Sequence, residues 1–162
     1  MPSADTNPKI GKASLYQTDF CAWTETQAAL LREQRWHELD LLNLIEEISA
    51  LGKQQRQELR NRLSLLIGHL LKWEYQPGRR SRSWLATIRV QRRDTVALLQ
   101  DNPSLKPYLD EALPQIYQNS RDLAMGETDL PASTFPSDCP YSLIEILGEK
   151  FYPGEPSELV TE

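Results

Sequence analysis

The chain has only two cysteines in 162 residues and no Cys-x-x-Cys pair. Nor does any apolar run approach the ~20 residues of a membrane-spanning helix. The longest apolar candidate, Leu63 to Leu71, is interrupted by Ser64, Gly68 and His69. Cys21 and Cys139 lie in segments of different character and read as two free thiols of a reducing compartment. There is no nucleophile elbow, Walker-type phosphate loop or Rossmann glycine pattern, which sets aside the chemistries those motifs carry. Also missing are the β-branched alternation of strands, any internal repeat and any low-complexity segment. The opening MPSADTNPKIGKAS lacks the apolar core of a signal peptide. It reads as a disordered lead-in over residues 1–14 of a cytoplasmic protein.

What is present is helical periodicity. Between Asp19 and Gly148 apolar residues recur at three- and four-residue spacing, which predicts an all-α, single-domain bundle over residues 15–152. Thr18 is the expected cap of a first helix carrying Phe20, Trp23, Leu30 and Leu31, and Trp36-His37 reads as a connection. A second helix places Leu41, Leu44, Ile45, Ile48 and Leu51 on one stripe, and Gly52 marks its expected end. The third, from about Lys53 to Tyr75, turns Leu59, Leu63, Leu66, Ile67 and Leu70 inward and stops at Pro77-Gly78. Ser81 or Ser83 caps a fourth, with Trp84, Ile88, Thr95 and Leu99 on one face up to Asp101-Asn102. A fifth element should be kinked or split at Pro114. The proline-bearing stretch 128–140 should run as an extended loop, followed by a short C-terminal helix from Pro140 to about Leu147 and a loose acidic tail over 153–162.

Charge is segregated. Eleven of the 18 Lys and Arg residues fall between Lys53 and Arg93, against only Glu58 and Glu74 there, although the whole chain carries a formal charge of -5. On the third helix Arg62, His69 and Trp73 share one flank, since seven residues are nearly two turns. An arginine beside a histidine of pKa ~6.5 is the pair that metal-independent RNA cleavage uses. The spacing is a loose one that any arginine-rich helix can match, so a boundary histidine bonded to a neighbouring helix is the favoured reading and no catalytic residue is assigned. The turn Arg79-Arg80-Ser81-Arg82 precedes a helix N-terminus and is the best anion or partner site, with Lys72, Trp73 and Trp84 around it. Trp73 and Trp84 nevertheless sit at core positions and are expected to be buried. Glu46 and Glu47 form the acidic counterpart, with Glu47 expected to pair with this turn or with His69. Glu47, His69 and Glu127 could meet as metal ligands across a bundle, but the Glu-x-x-His spacing of di-iron helices is absent, so neither metal nor cofactor is expected. Cys139 precedes a short helix whose dipole could lower its pKa, with nothing nearby to make it a nucleophile.

Five segments together resemble a bacterial family described as domain of unknown function twenty-nine. They are YQTDFCAWTETQAALLR from Tyr16, LDLLNLIEEISALGK from Leu39, HLLKWEYQPGRRSRSWLATIRVQR from His69, NPSLKPYL from Asn102 and FPSDCPYSLIEIL from Phe135. The resemblance runs from about Leu15 to Pro153 and implies an all-helical fold with no assigned activity and no catalytic residues. With no strong catalytic motif, the expected function is a protein-interaction or regulatory module with another protein as partner. The alternatives are a ribonuclease-like enzyme using Arg62 and His69, or nucleic-acid binding at the Arg79 to Arg82 turn. No membrane association is expected.

Overall fold

The computed structural model describes residues 14–161; the predicted lead-in therefore lies outside the described residues apart from Ser14. Those residues are helical, with no strand among them. The chain divides into two compact units, one ending at Gly52 and one beginning at Lys53.

In the first unit, α1 (Leu15–Thr18) leads into α2 (Phe20–Arg32). The cap of α2 is Asp19, whose Oδ1 accepts from the Ala22 N–H at 3.0 Å; Thr18, the expected cap, instead ends α1. A carboxylate there also complements the helix dipole, which a threonine does not. Gln34, at φ 58°, closes α2 in a left-handed conformation, with Arg35 N–H reaching the Leu30 carbonyl at 2.9 Å. The predicted connection is a single 3-10 turn, Trp36–Glu38.

The predicted second and third helices are one helix, α3 (Leu41–Tyr75), of 35 residues. Gly52 does not stop it: it does not take the left-handed conformation in which glycine commonly ends a helix, and keeps a negative φ inside α3. A mid-helix glycine costs only about 1 kcal/mol relative to alanine.

In the second unit, α3 is buried all round from Leu66 to Trp73, which makes it the central element. Leu59, Leu63, Leu66, Ile67, Leu70 and Trp73 are wholly inaccessible. After a turn at Pro77–Arg79 comes α4 (Arg82–Asp101), capped by Ser81 Oγ, which accepts from the Trp84 N–H at 3.2 Å. The fifth element, α5 (Leu105–Thr128), is continuous through Pro114. That proline removes the one N–H that would have reached the Asp110 carbonyl and does not split the helix. The loop after it, expected to run extended, is broken by a 3-10 turn at Ala132–Thr134 and buries Phe135 edge-on against Tyr75, at 5.4 Å between ring centroids. Next is α6 (Leu143–Leu147), opened by a capping box between Ser142 and Glu145.

The tail predicted to be loose is docked. Its last described turn is α7 (Glu158–Thr161), and Leu159 and Val160 pack against the core. Gly154, at φ 82°, brings the chain so close to Glu74 that a Cβ would lie 3.4 Å from the Glu74 Cα. Composition suggested looseness because the tail is acidic; two arginines bonded to its carbonyls and to the preceding loop hold it instead.

Candidate functional site

The predicted site residues all have definite places, and few of them converge. Arg62 bonds Glu58 one turn back at 2.7 Å and Asp94 of α4 at 2.8 Å. His69 is buried, and its Nδ1 donates to the Leu65 carbonyl of its own helix at 2.9 Å. Burial holds its pKa below the ordinary histidine range, and the nearby Lys72 ammonium pushes the same way. The two are about 10 Å apart along the α3 axis, each held by its own partners.

Lys72 is the surprise of the basic segment. Its side chain is only 4% exposed; it pairs with Glu127 of α5 and lies 4.4 Å from the centroid of the Trp84 ring. Of the tryptophans expected to be buried, Trp73 is fully so; Trp84 is half-buried, its face occupied by that ammonium.

The arginine turn is divided in its duties. Arg79 is exposed. Arg80 turns inward over the Trp73 ring and bonds three carbonyls: Trp73 and Glu155 at 2.7 Å and Pro153 at 3.5 Å. Burial lowers its pKa. Arg82 is the first residue of α4. The turn is therefore no converging set of three guanidinium forks, because the tail takes one of them.

Glu47 does not meet the expected cation. Its Oε1 accepts from Tyr16 OH at 2.6 Å inside the first unit, which raises the tyrosine pKa. Glu46 is exposed. Glu127 reaches Lys72, as described, and among the described residues no group of three His, Cys, Asp or Glu forms a metal-holding set. Cys21 and Cys139 are free thiols; burial pushes Cys139 up, opposing the expected effect of the helix dipole, and its Sγ faces the Tyr141 carbonyl at 3.4 Å.

Two features lay outside the sequence reading. Arg92, only 2% exposed, donates to the carbonyls of Ile146 at 2.8 Å, Phe151 at 2.9 Å and Glu149 at 3.4 Å, and stacks over Tyr152. Beside it opens a cavity of about 340 Å³ lined by Arg89, Arg93, Lys150 and Tyr152 among others. Arg89, Arg92 and Arg93 fall in the basic stretch that the sequence shows, but nothing in sequence ties α4 to the segment after α6.

The second feature is the face of α3 within the first unit. The side that meets α1 and α2 is polar: Asp40, just before α3, accepts from Trp23 Nε1 at 3.1 Å and from Asn43 at 2.7 Å, while Glu47 holds Tyr16. Gln27 adds its Oε1, which accepts from the Asp40 N–H at 2.8 Å. The opposite side carries Leu41, Leu42, Ile45, Ile48 and Leu51, each between 57% and 80% exposed. Four of the five residues of the predicted stripe lie on this outward side; Leu44 is half-buried, and Leu42 joins the exposed set.

The model of the family described as domain of unknown function DUF29 matches residues 15–152. The chain belongs to that family. No curated protein and no solved structure matches the chain. Among the described residues no helix is long and apolar enough to cross a membrane.

Proposed function

We propose that this DUF29 chain is a protein-interaction module and that the outward apolar face of α3 is where it docks. The observation that supports this is the inversion of that helix segment, with polar side chains bonded inward and five large aliphatics in solvent. Among the described residues, nine of the eleven large hydrophobics that are exposed lie between Leu15 and Leu51, so the exposure is concentrated rather than scattered. Isolated exposed leucines need no explanation, whereas a contiguous patch does.

The occupant is a second copy of the chain. The five side chains expose on the order of 600 Å², the upper end for the largest patch of a monomer and near the ~800 Å² that each partner contributes to a stable interface. The face is also self-complementary in an antiparallel sense. A two-fold axis midway between Glu46 and Glu47 sets Ile45 against Ile48 and Leu42 against Leu51, while Leu41 meets Gly52, which has no side chain to hold the helices apart. A purely apolar match of this kind lacks the charge pattern that would select an unlike partner.

Sedimentation equilibrium of the full chain tests the reading, with Ile45→Lys/Ile48→Lys beside it. Both residues are exposed, so the variant keeps its helicity. A parent that dimerises and a variant that stays monomeric are expected. A parent monomeric up to its solubility limit, or a variant that dimerises equally well, overturns the proposal.

A further inference from the structure

The cavity beside Arg92 raises a question of charge. A buried guanidinium is costly unless an opposite charge offsets it, the penalty running to several kcal/mol per ion. Arg92 satisfies three of its five N–H groups on carbonyl oxygens and makes no ion pair with any described carboxylate. Around it stand three more cations, Arg89, Arg93 and Lys150, none with a carboxylate partner among the described residues; Arg89 donates to Tyr152 OH at 3.3 Å. Among the described residues Glu149 is the one acid in the lining. The result is an excess of three positive charges about one concavity in a chain whose formal charge is -5.

From this arrangement we infer that the cavity between α4 and the segment 149–160 is a binding site for a small phosphate-bearing molecule. Its volume, about 340 Å³, is at the lower end for small-molecule sites. A phosphate monoester carries ~1.5 to 2 negative charges and three acceptor oxygens, which match guanidinium forks better than a single carboxylate does. Arg89 and Arg93 are one turn apart on α4 and present their forks to the same opening, with Lys150 as the point charge opposite. Tyr152 and Val160 form an apolar wall for the organic body of the ligand. The site is built from the fold: Arg92 fixes the loop that carries Glu149, Lys150 and Tyr152, so the cations are positioned before any ligand arrives. A polymeric phosphate is disfavoured, because the chain carries a formal charge of -5 overall, which works against holding a long polyanion.

Isothermal titration of the full chain decides the matter, using inorganic phosphate, adenosine 5′-monophosphate, adenosine and a single-stranded RNA oligonucleotide as probes. Saturable one-site binding of phosphate and the monophosphate is expected, with none for adenosine. Arg93→Gln/Lys150→Gln, both residues being exposed, should keep the parent's melting temperature and weaken the monophosphate at least tenfold. Lys53→Gln, which removes one cation elsewhere, should bind as the parent does. No binding of either phosphate probe, full retention in the double variant, or equal loss in Lys53→Gln overturns the inference. So does binding confined to the oligonucleotide, which would point to a nucleic-acid surface instead.

Discussion

Lys72 of α3 and Glu127 of α5 form an ion pair in which one partner is buried and the other is not, the side chains being 4% and 45% exposed. The asymmetry decides what each substitution does. Glu127→Gln leaves a buried ammonium with an amide oxygen and the Trp84 ring but no counter-charge, whereas Lys72→Met removes the buried charge and leaves a carboxylate that water can reach. Glu127→Gln should cost about 1 to 2 kcal/mol, above the 0 to 1 of an exposed pair and below the 3 to 5 of a wholly buried one. Lys72→Met should cost less than Glu127→Gln. Urea unfolding of the two variants checks the order; the reverse order would mean that the lysine is hydrated.

His69 predicts a pH dependence. Its folded pKa lies below the usual ~6.5 because burial penalises the charged ring. Below pH ~6.5 the unfolded chain takes up a proton that the folded chain resists, so the stability contributed by this residue is full above that pH and declines as pH falls toward the folded value. The parent should therefore lose more stability between pH 7.5 and pH 5 than His69→Gln does. Equal losses in denaturant titrations at the two pH values would show that the ring titrates normally.

The core of the second unit was legible in the sequence, because Leu59, Leu63, Leu66, Ile67 and Leu70 repeat at the helix period and nothing competes with that signal. The stripe from Leu41 to Leu51 was equally legible as a stripe, but its exposure was not. Periodicity reports which residues share a face, and whether that face is covered depends on the neighbours, here held by Tyr16, Trp23 and Gln27 through hydrogen bonds. The arginines were misread for a different reason. A sequence reader looks for carboxylate partners, and Arg80 and Arg92 are bonded to carbonyl oxygens more than fifty residues away, which have no residue identity to find.

Two glycines of one helix should respond oppositely to alanine. At Gly52 no atom lies within 4 Å of a built Cβ, so Gly52→Ala should stabilise by about 0.5 to 1 kcal/mol through helix propensity. At Gly68 the Cβ would lie 2.7 Å from Leu123 Cδ2 and 3.3 Å from the Ser120 carbonyl oxygen. The leucine can turn aside at some cost but the backbone cannot, so Gly68→Ala should destabilise by about 1 to 3 kcal/mol. Thermal unfolding of both variants reads the signs. Destabilisation by Gly52→Ala would mean that the glycine adopts a left-handed conformation and that α3 breaks there, as its sequence position first suggested.

Arg92 gives the last prediction, and it separates a structural role from the anion site beside it. Replacing it with methionine keeps the buried stem but strips three carbonyls, those of Ile146, Glu149 and Phe151, of their donor. A buried acceptor left unsatisfied costs ~1 to 3 kcal/mol, and the Glu149 bond, at 3.4 Å, is weak, so the sum should be about 3 kcal/mol. The damage should be local before it is global, since the loop from Gly148 to Tyr152 carries no regular secondary structure of its own. Hydrogen exchange should rise first in this loop and in α7, with the Leu63 to Leu71 core of α3 still protected, and limited proteolysis should cut near Lys150. Arg93→Gln, one position along and exposed, should do neither. If Arg92→Met exchanges uniformly across the second unit, the guanidinium is supporting the whole core rather than this loop; if it exchanges like the parent, the three carbonyls have found water and the clamp contributes little.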